Sequence, residues 1–286
     1  MTIVDAHHHL WDLSVRDQKW ISGPRLAPLR RSFLLADLEA EIRASGVTAT
    51  VLVETVNVAD ETPEFLALAA ASDVIEAVVG WTGLTAPDVS EALDRLRSLP
   101  GGGFLRGIRH QVQSEPDLDW LTRPEVLRGL RAVGAAGLVY DLVVLPHQLP
   151  SAARAAAAVP GLTFVLDHLG KPPIASGERK PWEGHLRELA ALPNMVCKLS
   201  GMVTEADWAS WTVADLRPYA ETVIDAFGPQ RLMFGSDWPV STLAAGYDEV
   251  IRGARELTAG LGPDERAEVW AGTARRVYRM TGSDAG

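Results

Sequence analysis

The 286-residue chain has a single cysteine, Cys197, so it can form no intrachain disulfide. That residue reads as a small buried side chain in a reducing compartment. The chain also lacks a basic run. Its formal net charge is −10, with 27 Lys and Arg against 37 Asp and Glu. Phosphate backbones and anionic membrane surfaces both call for clustered cations, so nucleic-acid and membrane partners are excluded as expectations. No apolar run approaches the ~18 residues of a membrane span. The start of the sequence has no basic segment followed by a long apolar stretch, and the expected location is cytoplasmic.

What is present is a globular composition, 47% hydrophobic and 22% charged, sufficient for a full core. Eight short apolar, β-branched runs recur: 2–6, 49–54, 77–82, 107–111, 138–144, 163–167, 195–199 and 231–235. Most are separated by about the length of one strand-helix unit. Helical patterns lie between them, over 36–45, 91–98, 124–133, 151–159, 181–191 and 218–227. Pro124 and Pro181 suit first-turn positions, and Gly46, Gly134, Gly161 and Gly228 suit helix ends. Runs that are apolar on both faces suggest parallel strands covered by helices. Eight such units predict one α/β domain over 1–286, a single (β/α)8 barrel rather than an open doubly wound sheet. An open sheet would want a glycine-rich phosphate loop after the first strand, where this chain has histidines. The longest irregular stretch, 13–31, is placed to act as a flap over a site.

In a barrel, chemistry gathers at the carboxyl ends of the strands. Those ends carry His7, His8 and His9; Glu54; Trp81; Arg109 and His110; Tyr140 and Asp141; Asp167 and His168; Lys198 and Ser200; and Asp237 and Trp238. Alternation puts His7 and His9 on one side of the first strand and His8 on the other. Two imidazoles on one side can hold a metal or polarise a substrate. Glu54 is a candidate for a substrate hydroxyl or for pairing with Arg109. Lys198 would allow Schiff-base chemistry only if it projects into the mouth beside an apolar wall.

Five stretches together, Asp5-Ala6-His7-His8-His9-Leu10-Trp11, Gly107-Ile108-Arg109-His110, Leu166-Asp167-His168-Leu169-Gly170-Lys171-Pro172, Lys198-Leu199-Ser200-Gly201 and Phe234-Gly235-Ser236-Asp237-Trp238-Pro239, resemble the amidohydrolase superfamily, and within it the sugar-lactonase branch. The resemblance spans almost the whole chain. It implies a (β/α)8 barrel that hydrolyses a sugar-acid lactone of the L-fucono- or L-rhamnono-lactone kind, a small-molecule partner. It carries metal-ligand roles onto His7, His9, His168 and Asp237. The chain departs from the family's two-metal members: strand four ends in Arg109-His110 and strand five offers Tyr140 and Asp141. The implied cofactor is therefore one divalent ion, zinc by ligand type, or none.

On this reading Asp237 is the general base, and His168, Arg109 and His110 assist by polarising the carbonyl or stabilising the oxyanion. Trp11, Tyr140 and Trp238 are candidate sugar-recognition walls, together with Glu54. The rival functions are a metal-dependent decarboxylase of the same superfamily, a pyrone-dicarboxylate lactonase, which would want several arginines in the mouth, and a non-catalytic sugar-binding barrel. The sequence leaves the oligomeric state open, a homo-oligomer included.

Overall fold

The computed structural model describes residues 2–43 and 45–280. Eight parallel strands follow one another in sheet order: β1 Ile3–His8, β2 Val47–Val53, β3 Ile75–Gly80, β4 Leu105–His110, β5 Val139–Leu142, β6 Phe164–Leu166, β7 Met195–Leu199 and β8 Leu232–Phe234. The barrel closes at its mouth. There His9 N–H donates to the Trp238 carbonyl (2.7 Å) and Asp237 N–H to the His7 carbonyl (2.8 Å). Asp5 reinforces that seam from outside, accepting from Ser236 N–H (2.8 Å), Ser236 Oγ–H (2.6 Å) and Tyr247 O–H (3.0 Å). The result is a (β/α)8 barrel.

The helices alternate with the strands: α1 Leu35–Ile42, α2 Glu61–Ala70, α3 Val89–Ser98, α4 Pro124–Ala135, α5 Leu149–Ala158, α6 Trp182–Ala190, α7 Met202–Glu205, α8 Val213–Phe227 and α9 Tyr247–Leu257. Pro124 opens α4, as its fixed φ and missing donor favour. Four expectations shift. Pro181 is the cap of α6 rather than its first turn. Helix α8 starts five residues before Pro218, because Thr212 and Asp215 form a capping box (Thr212 N–H to Asp215 Oδ2, 2.8 Å). Gly134 lies inside α4, and the left-handed glycine beyond that helix is Gly137. The pattern expected over 36–45 ends earlier, with α1 at Ile42, and Ala44 lies outside the described residues. None of the described helices is long and apolar enough to cross a membrane.

Apolar side chains form two layers. One lies between barrel and helices; the other, smaller, fills the barrel interior with Val4, Ala6, Val51, Val53, Val79, Val139, Val165, Val196 and Met233. Ala274, Tyr278 and Met280 of the C-terminal segment close the floor of that interior. The inward row therefore runs from apolar at the bottom to ionisable at the top. On β5, Val139 and Asp141 point inward while Tyr140 and Leu142 join the outer layer. Strand β1 breaks strict alternation. Its register to β2 steps three residues, Asp5 to His8, against two, Thr50 to Leu52. This bulge lets Ala6 and His7 both face inward, after which His8 turns out and His9 in.

Candidate active site

Four side chains meet over the barrel's mouth. His7 Nε2 lies 3.1 Å from His9 Nε2. Asp237 Oδ1 lies 3.8 Å from His7 Nε2, 3.7 Å from His9 Nε2 and 3.7 Å from His168 Nε2. All four residues are buried. Their orientations are fixed from behind. His9 Nδ1–H donates to the Val53 carbonyl (2.8 Å), which leaves a lone pair on Nε2. His168 Nδ1 is hydrogen-bonded to Ser200 Oγ (2.9 Å). Both His168 and Asp237 sit in left-handed backbone, φ 53° and 58°, a conformation seldom adopted by non-glycine residues and recurrent at functional sites.

The electrostatics follow from burial. Desolvation pushes His168 down to about 4 and His7 well below its ordinary value, His7 further because Lys198 faces it. Both rings are neutral near neutral pH. Burial alone would raise the Asp237 carboxyl, but His168, His9 and Lys171 hold it below the usual value, so it is ionised.

Beneath these groups lies a closed set of ion pairs. Lys198 Nζ is 2.6 Å from Asp141 Oδ2, 3.0 Å from Asp167 Oδ1 and 3.0 Å from His7 Nδ1. Arg109 Nε bonds Glu54 Oε1 (2.8 Å), and its Nη1 bonds Asp167 Oδ2 (3.0 Å) and approaches His7 Nε2 (3.3 Å).

The site's fit to a divalent cation can be tested on geometry and charge. Metal–ligand bonds of about 2.0–2.1 Å in a tetrahedron place donors about 3.3 Å apart. Four of the six donor separations, those given above, run from 3.1 to 3.8 Å and bracket that value. His7, His168 and Asp237 each offer a ligand atom within 4.8 Å of the others, and His9, close to His7 and Asp237, stands outside that mutually close set. Two imidazole nitrogens 3.1 Å apart need a proton or a cation between them. Of the side chains in contact with Lys198, Arg109 or the three imidazoles, the carboxyl groups Glu54, Asp141, Asp167 and Asp237 outnumber the two basic residues by two, and a divalent charge would offset that excess. The residues present fit one such ion.

A cavity of about 270 Å3 opens over the cluster. His9, Arg109, His168 and Asp237 line its floor, and Trp20, Thr55, Gln111, Lys171, Glu205 and Trp208 its walls. Lys171 and Glu205 face each other there, Nζ to Oε1 at 3.5 Å. Trp20 and Leu26 come from the long 13–31 loop, which does overhang the site. The sequence offered that loop as a flap but singled out neither residue. Lys171 lay within a quoted motif without a role, and Glu205 and Trp208 carried no signal.

Five expected site residues lie elsewhere. His110 follows Arg109 and so faces outward, where Nε2 pairs with Glu115 (2.7 Å), Nδ1 accepts from Trp81 and the ring stacks on Trp120 at 4.2 Å. Trp11 donates its indole N–H to the Arg31 carbonyl (2.7 Å) and packs on Phe33. Trp238 is buried against Phe33. Tyr140 is fully buried in the outer layer beside Phe164. Glu54 is also fully buried and holds Arg109, the second of its two expected roles. Lys198 does project inward, but its Nζ is held by Asp141 and Asp167 below the cavity floor rather than facing an apolar wall in the mouth, so the placement Schiff-base chemistry requires is not met.

Gly201 shows how tightly the site is built. A Cβ there would lie 2.5 Å from His168 Nδ1, and its φ is +63°. Gly201→Ala must push the imidazole aside. The expected result is a folded protein whose kcat/KM is lower by roughly 10²-fold, the cost of misplacing a reacting group by about 1 Å. Steady-state kinetics beside a circular-dichroism spectrum check it.

The parallel barrel carries a His-x-His pair on its first strand, a later histidine and a strand-eight aspartate around one point. The chain belongs to the amidohydrolase family, whose model matches residues 4–280. It is 41% identical over 288 residues to an L-fucono-1,5-lactonase of Burkholderia multivorans, covering 97% of this chain and 96% of that protein. A crystal structure of an amidohydrolase from Burkholderia multivorans with bound zinc superposes with a TM-score of 0.90 at 40% identity, over 98% of this chain and all of that one. A probable 2-pyrone-4,6-dicarboxylic acid hydrolase from Acinetobacter baumannii, 17% identical with a TM-score of 0.77 over 98% of this chain and all of that one, shows the shared fold alone.

Proposed function

We propose that the protein hydrolyses a sugar-acid lactone of the L-fucono-1,5-lactone kind, opening the ring to the free aldonate. The observation that carries this reading is the convergence of His9, His168 and Asp237 at the floor of a sugar-sized cavity, with His7 directly beneath them. The 41% identical lactonase supports the substrate class.

The chemistry follows from the groups. A lactone is an ester, open to attack by water once the carbonyl is polarised. Asp237, ionised and central, takes the proton of the attacking water and returns it to the ring oxygen as that bond breaks. His7, His9, His168 and Asp237 would hold one divalent cation, zinc by ligand type, which when bound polarises the carbonyl and acidifies the water. Arg109, locked by Glu54 and Asp167, presents a fixed positive charge to the developing oxyanion. Trp20 and Trp208 offer apolar faces to the sugar ring, while Gln111, Thr55 and Lys171 offer hydrogen bonds to its hydroxyls.

The pyrone-dicarboxylate reading is less well served. Two substrate carboxylates would want several arginines, and among the described residues only Arg109 lines this cavity. The decarboxylase reading shares the ligand set and is separated by product.

The test is a panel of aldonolactones with purified protein and a pH indicator, run with and without a chelator and with metal content measured. L-Fucono-1,5-lactone should release acid well above its spontaneous rate, with about one zinc per chain, and chelation should lower the rate at least tenfold. No enzymatic ring opening across the panel would end the lactonase reading. Full activity in metal-free protein would end the metal role.

A further inference from the structure

At the end of the barrel opposite the reaction cavity, three arginines surround a second cavity of about 170 Å3. Arg97 comes from the last turn of α3, Arg106 is the second residue of β4, and Arg279 lies in the segment that closes the barrel floor. Among the described residues no acidic side chain lines this space and none of the three arginines makes an ion pair. Their neighbours do: Arg275 pairs with Glu76 (3.3 Å) and Arg276 with Glu268 (2.8 Å). In a chain of net charge −10, three converging cations without a carboxylate are out of character.

Local contacts hold the three side chains toward the same space. Arg106 Nε is buried and has no hydrogen-bond partner. Arg97 Nη1 is anchored on the Ala136 carbonyl at 2.8 Å. Arg279 lies so close to Gly137 that a Cβ there would sit 3.2 Å from its Nη1. Burial, and then the repulsion of Arg279 and Arg97, holds the Arg106 guanidinium below its ordinary value. Arg97 and Arg279 are exposed and Arg106 is half-buried; guanidinium groups that converge, with the buried Arg106 Nε–H left unmet, raise the folded state's energy unless an anion completes them.

We propose that Arg97, Arg106 and Arg279 form an oxyanion site for a phosphate or carboxylate group. Guanidinium forks match the paired oxygens of both groups. The anion would tie together the turn from α3 to β4, the turn from α4 to β5 and the C-terminal segment. Arg106 and Arg109 are three residues apart on β4, about 10 Å along the strand, and belong to opposite ends of the barrel. The bound anion therefore acts on stability, and the reaction cavity keeps its own chemistry.

The experiment is thermal unfolding of the full chain in sodium phosphate against sodium chloride at matched ionic strength, with calorimetric titration of phosphate. At ten times Kd, Tm should rise by about 3 °C, with one phosphate bound. Arg106→Gln and Arg279→Gln should each abolish the shift. In chloride they should be no less stable than the parent, because an unmatched charge has gone. A purely structural role for these arginines predicts the reverse.

Asp284→Asn separates a free anion from a carboxylate of the chain itself, that residue lying outside the described ones. A shift in the parent assigns the site to a free anion. A shift confined to Asp284→Asn assigns it to the chain's own carboxylate. No shift in either protein, or a full shift in both arginine variants, overturns the site.

Discussion

Asp237→Asn should lower kcat for lactone opening by roughly 10³-fold, within the range that general acid–base catalysis contributes, and leave the protein folded. Asparagine suits the position for a backbone reason. Residue 237 has φ 58°, and Asn is among the few non-glycine residues that adopt this conformation readily. The Asp237 N–H bond to the His7 carbonyl, which helps close the barrel, involves only main chain and survives the change. What disappears is a charged oxygen 3.7 to 3.8 Å from three imidazoles. KM should move little, because the substituted amide still fills the same volume beside the substrate. Metal content measured on the same sample distinguishes loss of a base from loss of a ligand. A variant that turns over lactone at the parent rate removes Asp237 from the chemistry.

The parts of this site legible in the sequence are those that depend on strand order and on the type of residue at each strand end. The eight apolar runs gave the barrel, and the barrel brings Asp237 of the last strand beside His7 of the first. Which member of each pair faces the cavity depends on strand parity, and parity separates Arg109 from His110 and Asp141 from Tyr140. On β1 even parity would mislead, since Val4 and Ala6 face inward and only the bulge brings His7 round with them. His168 is out of reach of any periodic rule, because it enters through a left-handed turn after β6. The aromatic expectations failed for a different reason. Trp11, Trp238 and Tyr140 are apolar enough to be buried under the loops and helices, whereas Trp20 and Trp208 come from loops whose path no local pattern fixes. Three of the helices named above, α2, α7 and α9, have no counterpart among the helical patterns of the sequence. In α2 the dipeptide Thr62-Pro63 reads as a turn, yet a first-turn proline costs no helical hydrogen bond.

Lys198→Met should be the most destabilising single change in the barrel interior, by about 3–5 kcal/mol, the cost of leaving a buried ion without its partner. Lys198 is fully buried, as are Asp141 and Asp167, which it joins at 2.6 and 3.0 Å. Methionine replaces the stem and removes the charge. Asp141 then keeps only the Tyr278 hydroxyl, 2.9 Å from its Oδ2. The sign of the pH dependence follows. Burial already raises the Asp141 carboxyl to about 6 even though Lys198 pulls it down. A carboxyl raised on folding favours the folded state below its ordinary pKa, and that contribution is lost as pH rises through the folded value. Without Lys198 the folded value climbs further, so the loss is greater and extends to higher pH. Urea unfolding should therefore show the variant closer to the parent at pH 5 than at pH 8. Adding Asp141→Leu to Lys198→Met should restore part of the stability at pH 8, because two apolar residues replace a charge and its missing counterion. A loss below about 1 kcal/mol, equal at both pH values, would mean that the interior charges are hydrated or neutral, and the excess of two negative charges that favours a divalent cation at the mouth would vanish with them.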